Sequence, residues 1–364
     1  MSIRLLPFEH TLAGKKVLVT GHTGFTGSWA TLWLQRAGAQ IAGYALAPET
    51  RPALYHEAGL EQGILSETGD VNDYAHLSSF MAQVQPDLIL HLAAQPLVRK
   101  SYREPVSTFA TNVMGTAHVL EAARHTPSVR GVVCITTDKV YRNNEWPWAY
   151  RENDPLGGSD PYSASKAAAE MVIDSYRASY GDTDGKGLAI ATARGGNIIG
   201  GGDWSEDRLI PDFVRAVVND GILTLRYPDA TRPWQHVLGL VQGYLMLLAG
   251  LLEHPQKYAR AWNLGPQDNR QLSVSTVLDI MSQAWTRPAL DMQNRPLHEA
   301  HALALDSSLA RNLLGWWTPW STEQAIHETA AWYRHYYKDP ATARVVTQAQ
   351  LDAWRGALLD QAHL

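Results

Sequence analysis

The feature that most constrains the fold is a glycine-spaced turn between a short apolar run and a segment of helical spacing. The apolar run is Lys16–Thr20, and the turn that begins at Gly21 repeats glycine every third residue, as G-x-x-G-x-x-G. Glycines let a backbone turn tightly and approach a pyrophosphate at the N-terminus of the next helix. We therefore predict a dinucleotide site here. Its predicted contacts are Gly21, His22, Thr23, Gly24, Phe25, Thr26 and Gly27.

Strand-like apolar runs alternate with helix-like segments through the first half of the chain. This alternation indicates an α/β, Rossmann-type, doubly wound parallel sheet with helices on both faces. Strands are predicted at Lys16–Thr20, Gln40–Ala45, 87–94, Gly131–Ile135 and 188–193, with a short element closing at 70–71. Helices are predicted at 28–37, 77–84, 108–124 and 162–180.

After residue 194 the composition changes. Glycine and proline become frequent, and the helical spacing of apolar residues returns only further along the chain. We predict a Rossmann domain over residues 12–194, with a returning segment near 234–265. A smaller, interleaved C-terminal substrate-binding lobe would comprise 195–233 and 266–340. Residues 341–364 would form a C-terminal tail helix.

Charge and cysteine content narrow the function classes. The 364-residue chain has a net charge of −5 and no long basic run, which disfavours nucleic acid or an anionic membrane as a partner. The longest uncharged stretch, 237–252, is short for a membrane span. The single cysteine, Cys134, lies in an apolar run and fits a buried strand thiol in a reducing cytoplasm. We expect no metal, since the segment from His298 to His301 lacks the H-E-x-x-H spacing.

Two polar clusters carry the predicted chemistry. Tyr162 and Lys166 are four residues apart, so they share a helix face, and an ammonium beside a phenol favours the phenolate. Thr137, Asp138 and Lys139 follow strand five at its carboxyl end, where parallel sheets bind ligands. The alternative interpretation of this second cluster is a solvated polar loop. The position of the cluster at the strand end favours function.

The end of strand two leaves the choice between NAD and NADP open. An acidic residue there usually binds the adenine ribose, but the sequence reads YALAP and offers no carboxylate. Arg51, a little further on, remains a candidate partner for a 2′-phosphate. Asp70 and Val71 are candidates for the adenine edge, with a loop cap as the alternative for the carboxylate.

Six stretches resemble the extended short-chain dehydrogenases/reductases that act on nucleotide sugars, and within them the CDP-glucose 4,6-dehydratases. They are TGHTGFTGSW (20–29), HLAAQPLVRKSYREP (91–105), TTDKVY (136–141), YSASKAAAE (162–170), RGGNIIGGGDW (194–204) and TRPWQHVLG (231–239). The last two are the most specific. Asp138 followed by Lys139 looks like the dehydratase pair, and Lys139 resembles the CDP-sugar branch.

The resemblance implies a lyase that converts CDP-D-glucose to CDP-4-keto-6-deoxy-D-glucose with bound NAD. It implies that Tyr162 is the base, with its pKa lowered by Lys166 and the nicotinamide charge. Thr137 would orient the 4-hydroxyl, Asp138 would be the acid at the 6-hydroxyl, and Lys139 would be the C5 base or hold it. Further implied cofactor contacts are Asp70, Val71, Leu92, Ala93, Ala94, Asn112, Thr136, Tyr162 and Lys166. Implied substrate contacts are Gln95, Arg99, Tyr102, Asn197, Asp203, Trp204, Arg208, Leu209, Ile210, Arg226, Arg232 and His236.

The resemblance also implies a cytoplasmic homodimer or homotetramer that serves deoxysugar or O-antigen-type polysaccharide biosynthesis. Helices 108–124 and 162–180 would supply the dimer face. The alternatives are a 4-epimerase, reductase or dehydratase for a dTDP-, UDP- or GDP-sugar, and a non-catalytic dinucleotide sensor.

Overall fold

A seven-stranded, wholly parallel sheet organises the computed structural model, which describes residues 4–181, 187–225, 228–266, 272–292 and 303–361. The strands are β1 (Lys16–Thr20), β2 (Gln40–Ala45), β3 (Leu65–Thr68), β4 (Leu88–His91), β5 (Gly131–Ile135), β6 (Ala189–Arg194), β7 (Ile198–Ile199), β8 (Ile222–Leu225), β9 (Thr231–Arg232), β10 (Gln235–His236), β11 (Ala261–Asn263), β12 (Leu272–Ser273) and β13 (Ala289–Met292). The sheet order is β11-β6-β5-β4-β1-β2-β3, and β7–β10, β9–β12 and β8–β13 form two-stranded sheets.

The helices cover both faces of the sheet. They are α1 (Pro7–Leu12), α2 (Phe25–Arg36), α3 (Leu54–Glu57), α4 (Tyr74–Val84), α5 (Val98–Arg103), α6 (Pro105–Phe109), α7 (Gly115–Arg124), α8 (Pro161–Tyr180), α9 (Leu209–Val218), α10 (Val237–Glu253), α11 (Pro255–Tyr258), α12 (Val274–Ala284), α13 (Thr322–Lys338) and α14 (Ala343–Gln361). Short π-helical turns at Ala110–Met114 and Ala310–Leu314, and 3₁₀ turns at Asp138–Val140 and Pro340–Thr342, complete the helical structure.

Alternation along β1 shows why both faces need helices. Val17 and Val19 enter a hydrophobic cluster with α2 and α10, whereas Leu18 enters another with α4 and α7. Successive side chains of a strand point to opposite faces, so a strand that is apolar throughout must be covered on both sides. The predicted fold class is therefore confirmed.

Several predicted element bounds need correction. The strand predicted at 87–94 ends at His91, and the third strand is Leu65–Thr68 rather than an element closing at 70–71. The helix predicted at 108–124 begins at Pro105 and is interrupted by the π-turn Ala110–Met114. The bounds of β1, β2 and β5 match the prediction. The division into two lobes stays a prediction.

The C-terminal helix is fastened to the N-terminal segment by a buried ion pair. Arg355 of α14 donates through Nε and Nη2 to the two carboxylate oxygens of Glu9, at 2.7 and 2.8 Å. Trp33 of α2 donates to the same carboxylate. No helix in the described part of the chain has both the length and the apolar composition to cross a membrane.

Candidate active site

One large cleft opens at the carboxyl ends of the sheet strands. Its volume is about 1940 Å³, and its walls come from the ends of β1, β2, β4, β5 and β6, from α5, and from the segment between β6 and α9. A pocket for a single small ligand occupies roughly 300–1,000 Å³. The cleft therefore has room for two ligands side by side.

The end of the cleft beside β1 fits a dinucleotide. Gly21 has φ of +75°, and a Cβ on it would lie 2.7 Å from the backbone nitrogen of Ala93. A Cβ on Gly27 would lie 2.1 Å from the carbonyl oxygen of Gly21. Helix α2 starts after Gly24 without a side-chain cap, so its first N–H groups remain available to an anion.

Most of the predicted cofactor contacts line this cleft. The set is Gly21, Thr23, Gly24, Phe25, Thr26, Gly27, Asp70, Val71, Leu92, Ala93, Ala94, Thr136, Tyr162 and Lys166. His22 and Asn112 are absent from the lining. His22 is buried under β2, where its Nε2 contacts the Ser66 hydroxyl at 2.8 Å and burial lowers its pKa to about 4.

Asn112 has a structural role beneath the cleft. Its Oδ1 accepts from the backbone N–H of Gln95 at 2.9 Å, and its Nδ2 donates to the Ser165 hydroxyl at 2.8 Å. Asn112 thus links the π-turn to the loop after β4. Gln95, a predicted substrate contact, is also outside the lining and donates to the Thr108 hydroxyl at 2.8 Å.

The adenosine end of the cleft favours NAD over NADP. Arg51, the candidate partner for a 2′-phosphate, is outside the cleft lining, whereas Leu46 and Asp70 line it. The Asp70 Oδ1 accepts from the backbone and side-chain nitrogens of Asn72, at 2.9 and 3.0 Å. Asp70 Oδ1 therefore caps its own loop, as in the alternative stated above for this carboxylate.

Three predicted catalytic groups meet directly at the end of β5. The Thr137 hydroxyl donates to Asp138 Oδ1 at 2.9 Å, and Lys139 Nζ lies 3.3 Å from the same oxygen. The 3₁₀ turn begins here because the Lys139 N–H bonds back to the Thr137 hydroxyl, while the Asp138 N–H donates to the Gly195 carbonyl at 3.1 Å. Thr137 also lies close enough to Tyr162 to oppose the burial that raises the pKa of its phenol.

Helix α8 brings Tyr162 and Lys166 to this cluster. Asp160 caps the helix by accepting from the Ser163 N–H at 3.0 Å, and Pro161 takes the first helical position, which suits its fixed φ. The Lys166 ammonium donates to the Ile135 carbonyl at 3.0 Å, and burial lowers its pKa to about 8.

Lys139 is the cation with the largest electrostatic effect on Tyr162 in the structure. Burial raises the pKa of the Tyr162 phenol, and the positive charge of Lys139 is the largest influence that opposes this rise. Lys166 instead faces the β5 carbonyl. The pKa of Lys139 is itself raised, first by the negative charge of Asp138. The positive charge of Lys139 thus acts on both the Asp138 carboxylate and the Tyr162 phenol.

A buried ion pair below the site was missed from the sequence. Arg194 donates to both carboxylate oxygens of Glu170, at 2.9 and 2.8 Å, and both side chains are within 2% of complete burial. Thr136 donates to the same carboxylate at 2.5 Å, and Tyr141 accepts from Arg194 at 2.8 Å. The available signal was Glu170, which lies one helical turn after Lys166 on the same face.

The predicted substrate contacts divide into three groups. Those that line the cleft are Arg99, Tyr102, Asn197, Asp203, Trp204, Arg208, Leu209, Ile210 and Arg232. Gln95 and His236 do not line it, and Arg226 lies outside the described residues, as does the segment from His298 to His301. His236 packs edge-on against Trp29 and Trp320, and burial lowers its pKa to about 3.

Arginines at the mouth of the cleft are held by carboxylates from the segment before α9. Arg208 Nη1 lies 3.0 Å from Asp203 Oδ2, and Arg99 of α5 pairs with Asp207. Guanidinium groups bind diphosphates through paired hydrogen bonds. Arg99 and Arg208 both line the cleft.

A family model described as GDP-mannose 4,6 dehydratase matches residues 18–329. The chain belongs to this family. Among curated relatives of this dehydratase family, the CDP-glucose 4,6-dehydratase of Salmonella typhimurium strain LT2 is 43% identical over 331 residues, which cover 89% of this chain and 92% of the relative. The dTDP-glucose 4,6-dehydratase of Xanthomonas campestris strain ATCC 33913 is 27% identical over 342 residues, covering 87% and 92%. The resemblance drawn from the motifs is confirmed.

Solved structures agree with the family assignment. DesIV is a dTDP-glucose 4,6-dehydratase from Streptomyces venezuelae that was solved with NAD. It superposes with a TM-score of 0.75 at 25% identity, over 90% of this chain and 99% of its own. UDP-glucose 4-epimerase from Stenotrophomonas maltophila, solved with NAD, has a TM-score of 0.78 at 21% identity, over 89% and 99%. The second likeness shows the fold alone.

Proposed function

We propose that this protein is an NAD-dependent hydro-lyase that converts CDP-D-glucose to CDP-4-keto-6-deoxy-D-glucose and water. The observation that carries the proposal is the pair of buried Asp138 and half-buried Lys139 beside Tyr162, in a cleft large enough for two ligands. When bound, NAD would take a hydride from C4 of the sugar and return it at C6. The 43% identity to the Salmonella CDP-glucose 4,6-dehydratase supports the choice of substrate.

Proton transfer at the 4-hydroxyl is assigned to Tyr162. The phenol would accept this proton as phenolate, and the Thr137 hydroxyl would orient the sugar oxygen by a hydrogen bond. Burial opposes the phenolate, so a nearby cation must stabilise it, and Lys139 lies in that position. Lys166 would hold the cofactor ribose from the same helix face, with Thr136 beside it.

Loss of water from C6 is assigned to Asp138. Once C4 is a ketone, the C5 proton is acidic, and its removal with cleavage of the C6–oxygen bond leaves a C5–C6 double bond. Asp138, in its protonated form, would donate the proton that converts the departing hydroxyl to water. The C5 proton would pass to Lys139 as a neutral amine, or to a base that Lys139 holds; Lys139 Nζ lies 3.3 Å from Asp138 Oδ1.

The remaining cleft residues are assigned by position. The turn from Gly21 to Gly27, with Leu92, Ala93 and Ala94 opposite it, would bind the NAD pyrophosphate and nicotinamide. Asp70 and Val71 would border the adenosine. The substrate diphosphate would contact Arg99, Arg208, Arg232 and Asn197, and the nucleoside would be bordered by Tyr102, Asp203, Trp204, Leu209 and Ile210.

We further propose a homodimer, alone or paired as a tetramer, that acts in the cytoplasm in deoxysugar synthesis for surface polysaccharide. Val106 and Phe109 of α6, Met114 of the π-turn and Met171 of α8 are exposed apolar side chains. Their helices are those predicted to pair between copies. Light scattering after gel filtration tests the dimer, and Val106→Glu should weaken it.

The function is tested by incubating CDP-, dTDP-, UDP- and GDP-glucose with the protein and catalytic NAD in deuterated water, followed by mass spectrometry. We expect CDP-glucose to lose one water and gain one deuterium at C5, and the other sugars to react poorly. Tyr162→Phe should abolish turnover with folding intact. Absence of water loss from every sugar would contradict the proposal and point to an epimerase, a reductase or a sensor.

A further inference from the structure

The carboxyl group of Asp138 lies directly against the Cα of Gly196, a residue to which no role has been assigned above. A Cβ built on Gly196 would lie 2.1 Å from Asp138 Oδ2, 2.2 Å from Cγ and 2.5 Å from Oδ1. All three distances are far below a normal van der Waals contact. The carboxyl group can therefore occupy its position only because residue 196 has no side chain.

The other contacts of the Asp138 carboxyl group are polar. Thr137 and Lys139 both contact Oδ1, at 2.9 and 3.3 Å, whereas Oδ2 is buried and has no hydrogen-bonding partner among the described residues. One carboxyl oxygen is therefore fixed by hydrogen bonds and the other by contact with Gly196. Together these contacts determine the orientation of the group.

Gly196 is held by a hydrogen bond from the small β7–β10 sheet. The buried Gln235 amide donates to the Gly196 carbonyl at 3.2 Å and to the Leu264 carbonyl at 2.9 Å. The N–H of Gln235 donates to the carbonyl of Asn197 at 3.3 Å. The surface against which the carboxyl group packs is thus part of the folded framework rather than a free loop.

We infer that Gly196 is a positioning residue for the proton donor of the elimination step. The inference rests on the proposed dehydratase function and deepens it, because it separates the two halves of the reaction within one site. Oxidation at C4 requires Tyr162 and Thr137, whereas the three atoms nearest to a Cβ on Gly196 all belong to Asp138. Loss of water requires Asp138, whose carboxyl group an added methyl at residue 196 would displace by about 1 Å or more.

The test compares the two half-reactions in Gly196→Ala. CDP-6-deoxy-D-glucose, which has no 6-hydroxyl, reports oxidation alone through the absorbance of reduced nicotinamide. CDP-glucose reports elimination through loss of one water by mass spectrometry. A misplaced catalytic group costs about 10²-fold. We expect elimination to slow by about that factor while oxidation changes by less than about threefold, with reduced cofactor accumulating on CDP-glucose.

Gly239→Ala is the matched control, because a methyl there would meet the Thr318 methyl at 2.9 Å, and neither residue lines the cleft. It should retain the parental ratio of elimination to oxidation. Equal slowing of both half-reactions in Gly196→Ala would overturn the inference, as would a parental ratio.

A double-mutant cycle keeps the inference testable if Gly196→Ala folds poorly. Asp138→Ala removes the carboxyl group that the new methyl would strike, so adding Gly196→Ala should cause no further loss of elimination and little further loss of thermal stability. Additive losses would refute the inference. If the parent protein does not remove water from CDP-glucose, the proposed function fails, whereas a failed cycle in a working parent affects only Gly196.

Discussion

Removing the negative charge of Glu170 should lower the melting temperature of the whole protein markedly. Glu→Gln keeps the shape of the side chain and its acceptor for Thr136, but leaves the buried Arg194 guanidinium without a counter-charge. Removing one partner of a buried ion pair costs about 3–5 kcal/mol. The two side chains are 0% and 2% exposed, so solvent offers little compensation.

The expected shift in melting temperature follows from chain length. Unfolding entropy near 60 °C is about 2.1 cal/mol/K per residue, or about 0.76 kcal/mol/K for 364 residues. A loss of 3–5 kcal/mol therefore lowers the melting temperature by about 4–7 °C. Differential scanning calorimetry of Glu170→Gln measures this shift.

The exposed pair between Asp279 and Arg287 provides the control. Their atoms lie 2.9 Å apart, like those of the buried pair, but the side chains are 52% and 59% exposed. Asp279→Asn should change stability by less than about 1 kcal/mol, or about 1 °C. Equal shifts in the two variants would refute the reasoning that burial makes the Glu170–Arg194 pair important.

Three further predictions concern other parts of the molecule. Gly27→Ala should weaken NAD binding by at least about tenfold in calorimetric titration, because its methyl would lie 2.1 Å from a backbone oxygen; Gly356→Ala, with no atom within 4 Å of its Cβ, should bind NAD normally. The Cys134 thiol should resist iodoacetamide in the native state at pH 7.5, since burial raises its pKa to about 12; rapid labelling would contradict this. Burial lowers the pKa of His22 to about 4 and of His91 to about 3, so stability that is present above pH 6.5 should fall as pH decreases toward 4, by about 1.4 kcal/mol per pH unit for each histidine; a melting temperature that stays flat from pH 7 to pH 5 would exclude this effect.

The sequence predicted much of the fold because the relevant information is local. The bounds of β1, β2 and β5 follow from short apolar runs, and the turn at Gly21 follows from glycine spacing. Helix α8 could be read from a capping Asp160, a proline at the first position and helical periodicity. Each of these signals acts over fewer than about ten residues, within the reach of backbone sterics and capping hydrogen bonds.

The candidate site could be predicted only in part. The sequence predicted Tyr162 and Asp138 as site residues, and both line the cleft. It did not show that Lys139 is the cation that most opposes the burial-raised pKa of the Tyr162 phenol. His22 belongs to the glycine-rich turn yet points under β2, because the glycine of that strand leaves space for its ring. Sequence position indicates which strand end a residue follows, but not the direction in which its side chain finally points.

The amino-acid sequence by itself determined the order of strands and helices, the glycine turn and the chemical groups available at the strand ends. The tertiary structure alone decided which charges are buried as pairs, as with Glu170 and Arg194, and which glycine admits a carboxyl group, as with Gly196 beneath Asp138. Those partners come from segments that are far apart in the sequence. Their contacts form only when the chain has folded, because burial and close approach are properties of the assembled core and not of any single segment.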